Sequence, residues 1–130
     1  MGLLVFITAA FFNYTTPQVE LSVTVEEPGG SVFYAIYNSE ESYMKEPFST
    51  GSKEVEDGKA LIVLDLEPGT YAITFFQDLN GNGELDTNWI GIPNEPYAFS
   101  NNARGSMGPA SFKDSKFTVT ENASFKIQIK

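Results

Sequence analysis

From Val19 to Glu26 apolar and polar residues alternate without a break, with Val19, Leu21, Val23 and Val25 set against Glu20, Ser22, Thr24 and Glu26. A period of two sends the two sets to opposite faces of an extended strand, whereas a helix would spread both around its circumference. A chain that opens this way needs a sheet with one buried face, and its later apolar runs must supply the layer that covers it. Lys59 to Leu66 (KALIVLDL) repeats the pattern, with Ala60, Ile62, Leu64 and Leu66 on one face. Ser31 to Asn38 (SVFYAIYN) is apolar on both faces, which predicts a central strand. Pro28-Gly29-Gly30 and Glu67-Pro68-Gly69 are turns, and Tyr71 to Gln77 (YAITFFQ) is expected to pair back after the second. Lys116 to Thr120 and Ser124 to Ile129 read as two more strands, with Glu121-Asn122 at tight-turn spacing between them. Ser39 to Asp57, broken by Pro47 and Gly51, reads as a loop with at most one short edge strand. No helix-length stretch of period 3.6 follows. The expectation is an all-β, antiparallel β-sandwich of about seven strands, and 130 residues suit one such domain.

The first residues differ from the rest. Gly2 to Phe12 (GLLVFITAAFF) is apolar, and the first charged side chain is Glu20. The run is too short to cross a bilayer as a helix but has the length of a signal-peptide core. Residues 1–17 are accordingly read as a signal peptide or its remnant and 18–130 as the domain. The competing reading is a buried first strand through Val5, Phe6 and Ile7. No Lys or Arg follows Met1. The leader reading places the protein outside the cytoplasm: periplasmic, cell-surface or secreted, with no membrane insertion of the mature domain.

The chain has no Cys and no His. Zinc sites of Cys and His, thiol nucleophiles and Ser-His-Asp triads are thereby excluded, and chemistry is left to carboxylates, Lys, Arg, Tyr or a hard metal ion. Charge is uneven. The net value is −9, with 15 acids and only Lys45, Lys53 and Lys59 before residue 96, and a small basic excess after it. An acidic body repels nucleic acid and anionic membranes and attracts cations.

The stretch from Asp78 to Ser115 lacks periodicity and carries many of the Gly, Pro and Asn residues. Connections of this length are usually functional or disordered, and Trp89, Tyr97, Phe99, Met107 and Phe112 argue for order. Its beginning, DLNGNGELDTN, offers an organiser. Asp78, Asn80, Asn82 and Asp86 fall at positions 1, 3, 5 and 9 of an EF-hand-type loop, with Gly83 at position 6 and the Glu84 carbonyl at position 7. Alternate residues turn their oxygens to one point, and all-oxygen ligation in a flexible frame selects calcium. Position 12, the bidentate Glu of an EF-hand, is Trp89 here. A second carboxylate must come from Asp86 or from Glu95, so binding is expected to be weak, on the order of 10⁻⁴ to 10⁻³ M. The plainer reading is an Asn-Gly turn whose side chains cap their own backbone.

Beyond the loop, Trp89, Tyr97, Phe99, Asn101, Asn102 and Arg104 make a candidate ligand surface, aromatics beside amides and a guanidinium, suited to stacking on a sugar ring. The competing reading folds those aromatics inward as a satellite core. Arg104 has two candidate partners, the acidic body or a ligand carboxylate. Catalysis is not expected; the alternative is a carboxylate hydrolase of surface polysaccharide drawing on Asp78, Glu84, Asp86 and Glu95. The expected function is a non-catalytic binding or structural module with an unknown protein or glycan partner at the cell surface.

The runs DLNGNGELDTN, IGIPNEPYAFSNNA and GPASFKDSKF, with the upstream turn Glu67-Pro68-Gly69-Thr70-Tyr71-Ala72, resemble domain-of-unknown-function family 2141, small secreted bacterial proteins. The resemblance covers Val19 to the carboxy terminus. It implies an exported sandwich of immunoglobulin-like or prealbumin-like type with, by motif, a cation loop, and it supplies no catalytic residues. Ala110 stands where the pattern would have a second proline after Pro109.

Overall fold

The structure is a computed structural model that describes residue 2 and residues 14–84, 95–106 and 108–130. Eight strands are present among the described residues: β1 (Gln18–Val25), β2 (Ser31–Tyr37), β3 (Ser49–Glu54), β4 (Lys59–Asp65), β5 (Gly69–Asp78), β6 (Tyr97–Phe99), β7 (Phe117–Val119) and β8 (Ala123–Ile129). A 3-10 turn (Ser100–Asn102) and a single helical turn, α1 (Phe112–Ser115), lie between β6 and β7. One sheet runs β4-β1-β8; the other runs β3-β2-β5-β6, with β7 also on β5. The two sheets enclose one core, so the sandwich expected from the alternation is the observed architecture.

Each strand buries the face its sequence marks. Val19, Leu21 and Val23 of β1 are buried, as are Ala60, Ile62 and Leu64 of β4 and Ile127 and Ile129 of β8. Val32 and Ile36 of β2 and Tyr71, Ile73 and Phe75 of β5 meet them from the other sheet. Full burial of each large aliphatic or aromatic side chain contributes about 1.5–3 kcal/mol before entropy is charged. β2 is central as its two-sided composition predicts, and the loop read over 39–57 contains the polar edge strand β3.

Two expectations about pairing are corrected. β5 does not pair back on β4: β4 pairs with β1 and β5 with β2, so Glu67-Pro68-Gly69 carries the chain across the sandwich. Leu66, 3 % exposed, plugs the crossing, and its N–H donates to the Pro17 carbonyl at 3.1 Å. Nor do β7 and β8 form a hairpin. β7 joins β5, and β8 lies parallel to β1, while the Asn122 side chain accepts the Gln18 N–H at 2.8 Å and ties the turn to the other sheet. Both pairs of neighbours carry an apolar face, and stacking those faces across the core buries them where a hairpin would set them side by side. The aperiodic connection also contains a short strand, β6.

β6 and β7 occupy successive stretches of one edge of β5, at Thr74–Phe76 and Gly69–Tyr71. Between them the Ile73 N–H has no strand partner. Ser100, buried at 3 %, fills the gap: its Oγ accepts the Ile73 N–H at 3.0 Å and donates to the Ser115 carbonyl at 2.5 Å. Ahead of β1, Tyr14 donates to Glu67 Oε2 at 2.8 Å, so the described chain is attached to the domain four residues earlier than the 18–130 boundary. The rest of the 1–17 reading lies outside the described residues, and no helix among those described is long and apolar enough to cross a membrane.

This packing can be tested at two points. Ser100→Ala strands a buried N–H and a buried carbonyl and should cost about 1–3 kcal/mol in urea unfolding; a change near zero would mean that the splice is not structural. Burial, chiefly, holds the Tyr43 and Tyr71 phenols above their ordinary value, with the Glu67 carboxylate adding to it at Tyr71. Raised folded values favour the neutral phenol, so this stability is complete below about pH 10 and is lost as pH rises through the folded values. Urea midpoints should therefore fall above about pH 10, and less steeply in the Tyr43→Phe/Tyr71→Phe double variant.

Candidate cation site

β5 ends in two buried polar residues, Gln77 at 0 % and Asp78 at 4 % exposure. They face opposite sides of the strand. Gln77 Nε2 donates to the Glu27 and Gly29 carbonyls at 2.7 and 2.8 Å, fastening the β1–β2 turn against the end of the strand. Gly30 completes the seat: at φ +70°, a Cβ there would fall 2.2 Å from the Asp78 carbonyl oxygen, so no other residue fits. Asp78 is thus held by a rigid neighbour before the loop begins.

The loop then wraps its own oxygens. Asp78 Oδ1 accepts the Gly81 N–H at 3.1 Å and Oδ2 the Gly83 N–H at 2.8 Å. Asn80 Oδ1 accepts the Asn82 N–H at 3.2 Å, and Asn82 Oδ1 the Glu84 N–H at 2.9 Å. Gly81 and Gly83 take positive φ, +76° and +73°, as such a coil requires. The Glu84 side chain is exposed, which suits the residue to act through its carbonyl.

Glu95 arrives where the chain returns to the sheet, just before β6. The Gln77 N–H donates to the Pro96 carbonyl at 2.9 Å and Phe76 pairs with Tyr97, so the returning chain lies against β5. That return sets Glu95, 7 % exposed, with Oε2 accepting the Leu79 N–H at 2.7 Å. Two buried carboxylates, Asp78 and Glu95, therefore hold the backbone of one short loop. Burying an ionised carboxylate is costly unless hydrogen bonds or a cation compensate it, and backbone N–H groups serve both here. The oxygens available are of the kind a hard divalent ion takes, and they include two carboxylates bonded to the same loop. The same bonds also describe a self-capped turn. No three acidic, Cys or His side chains converge among the described residues; Asp86, the third carboxylate expected from the sequence, lies outside them.

The expected ligand surface is rearranged. Phe99 is buried and packs edge-on to half-buried Tyr97 at 5.8 Å, so Phe99 presents no face for stacking. The Asn101 amide donates to the Asp114 and Lys116 carbonyls at 3.1 and 2.8 Å. Asn102 donates to the Lys126 carbonyl and accepts the Gln128 N–H, each at 2.9 Å. Both asparagines take positive φ; Asn101 fastens the 3-10 turn to the end of α1, and Asn102 fastens it to β8. Arg104 is exposed, and Trp89 lies outside the described residues. The sequence reading missed the aromatic row beside the loop. Phe33, Phe76 and Tyr97 stand in register across β2, β5 and β6, and the rings of Phe33 and Phe76 stack at 5.3 Å. Phe33, Phe76, Thr74 and Gly83 line a groove of about 300 Å³. The signal was present in β2, whose second apolar face needed a covering of its own.

A family model described as an uncharacterized protein conserved in bacteria, DUF2141, matches residues 23–128. No curated protein and no solved structure matches the chain.

Removing the carboxylate at the centre of the loop should be felt without any ion. In a chelator, Asp78→Ala is expected to lose about 1–3 kcal/mol, because the Gly81 and Gly83 N–H groups lose their acceptor. Glu95→Gln, which keeps an acceptor for Leu79, should lose less; equal losses would show that the Glu95 charge, not the hydrogen bond, holds the loop.

Proposed function

The chain belongs to the DUF2141 family, and on that premise we propose that it is a non-catalytic, exported binding or structural module whose loop Asp78–Glu84, closed by Glu95, takes a calcium ion. The ion orders the long connection that follows β5, and the ordered connection meets a protein or glycan outside the cytoplasm. The observation that carries this reading is the pair of buried carboxylates, Asp78 and Glu95, both turned onto the backbone of one Asn-Gly loop. They come from the start of the segment and from its return before β6, so an ion shared by them would tie the two together. Asn80, Asn82 and the Glu84 carbonyl would complete an oxygen shell, with Asp86 as a further ligand.

Such an ion would supply positive charge to an acidic region and no reaction step. The groove beside Gly83, with the stacked Phe33 and Phe76, supports a ligand that presents a flat apolar face, as a sugar ring does. The apolar run over residues 2–12, if it is a leader, and the acidic balance support export and a cation-rich setting.

The test is thermal unfolding of the full chain in chelator, then in calcium or magnesium. With calcium near ten times the dissociation constant, linkage gives about 1.4 kcal/mol, or about 5 °C in midpoint. The rise should be larger with calcium than with magnesium and absent in both Asp78→Ala and Glu95→Gln. No rise with any divalent ion would reduce the loop to a self-capped turn. Turnover of a polysaccharide, lost in Glu95→Gln, would replace the non-catalytic reading with a hydrolase.

A further inference from the structure

The sandwich has unequal edges. The second edge of β5 is covered by β6 and β7. The outer edge of β8 is occupied by the Asn102 amide, which takes up the Lys126 carbonyl and the Gln128 N–H. β3 offers a polar edge, Ser49–Glu54. β4 differs. Among the described residues no strand lies on its outer side, and between Lys59 and Asp65 it reads Ala-Leu-Ile-Val-Leu, without the charge, proline or bulge that usually blunts an edge.

The direction of its backbone groups follows from its bonds to β1. Gly58 accepts from Val25 and Leu66 donates to Pro17, at the two ends of a regular antiparallel ladder. Alternation then turns the even-numbered groups of β4 towards β1 and the N–H and carbonyl groups of Leu61, Val63 and Asp65 outward. The side chains of Leu61 and Val63 are 53 % and 48 % exposed. A groove of about 290 Å³ runs along this edge, floored by Tyr34 and flanked by Ser52 and Lys53. Tyr34 reaches the groove because residue 51 is glycine; a Cβ there would fall 2.2 Å from its hydroxyl. At the other end the Glu56–Lys59 bridge closes the edge, so the open stretch is centred on Val63.

The geometry points to a second copy of this chain as the occupant, added antiparallel so that β4 pairs with β4 about a twofold axis at Val63. In that register Val63 faces its own counterpart, and the N–H and carbonyl groups of Leu61 in each copy meet those of Asp65 in the other. All of these residues are odd-numbered, so the outward groups of both strands match. Charge complements the pairing. The exposed Lys59 of each copy stands diagonal to the exposed Asp65 of the other, within reach of a lysine side chain. The two three-stranded sheets merge into one continuous sheet, and the sequence is self-complementary as an isologous interface demands.

The full chain is tested by sedimentation velocity across concentrations up to about 1 mM. The expected result is a concentration-dependent rise from the 14.3 kDa monomer towards twice that mass. Val63→Lys, which sets two lysines face to face, should abolish the rise while circular dichroism and melting show the fold retained. Lys59→Asp and Asp65→Lys should each weaken self-association about tenfold, through like charges facing across the axis. Mixed in equal amounts, those two variants should form a heterodimer, because the acid introduced in one then meets the lysine introduced in the other. A monomer at every concentration overturns the inference. So does a dimer that is indifferent to Val63→Lys, or charge variants that fail to rescue each other.

Discussion

Strand β5 needs partners along both edges, and the rest of the molecule is arranged to provide them. One edge is filled by β2. The other is shared by two short strands, β6 and β7, with a serine hydroxyl standing in for the missing strand residue between them. Buried backbone groups left without partners would each cost as much as a lost hydrogen bond. That demand draws the chain after Asp78 back against β5 twice, at β6 and at β7. The returning chain places Glu95 beside Leu79. The candidate cation site is thus a by-product of completing a sheet: the carboxylate comes with the strand that follows it.

Period two was enough to identify the buried faces of β1 and β4, because each has an apolar residue at every second position and polar residues between. It could not identify partners. Alternation states which side of a strand is dry, and both a hairpin and a stacked pair satisfy that statement. The choice between them rests on contacts between residues far apart in the chain, Leu66 with Pro17 and Asn122 with Gln18. β6 was not legible for a different reason. Three residues are too few to show a period, and proline precedes them. The loop after Asp78 was legible because its spacing encodes a local coil, and the Asx bonds of Asp78, Asn80 and Asn82 are all within five residues. Asn101 and Asn102 have polar side chains that suit a ligand equally well, and only the proximity of β8 and α1 assigns them to backbone carbonyls.

The electrostatics of the site follow from its place in the fold. The body is acidic, and among the described residues Asp78 and Glu95 are its buried carboxylates, Asp78 accepting two backbone N–H groups of the loop and Glu95 one. Those N–H groups turn the oxygens into the loop and set its shape. Gln77, on the opposite side of the same strand, anchors the neighbouring turn.

The parallel pairing of β1 with β8 has a mechanical consequence. Val19 lies opposite Ala123 and Val25 opposite Ile129, so β1 starts at one end of the sandwich and β8 finishes at the other. Tension applied through those two points slides one strand along its neighbour, and the whole ladder bears the load together. A hairpin pulled at its open end would unzip bond by bond. Strung between two attachments, this sandwich would act as a stiff link that resists stretching up to a single abrupt yield.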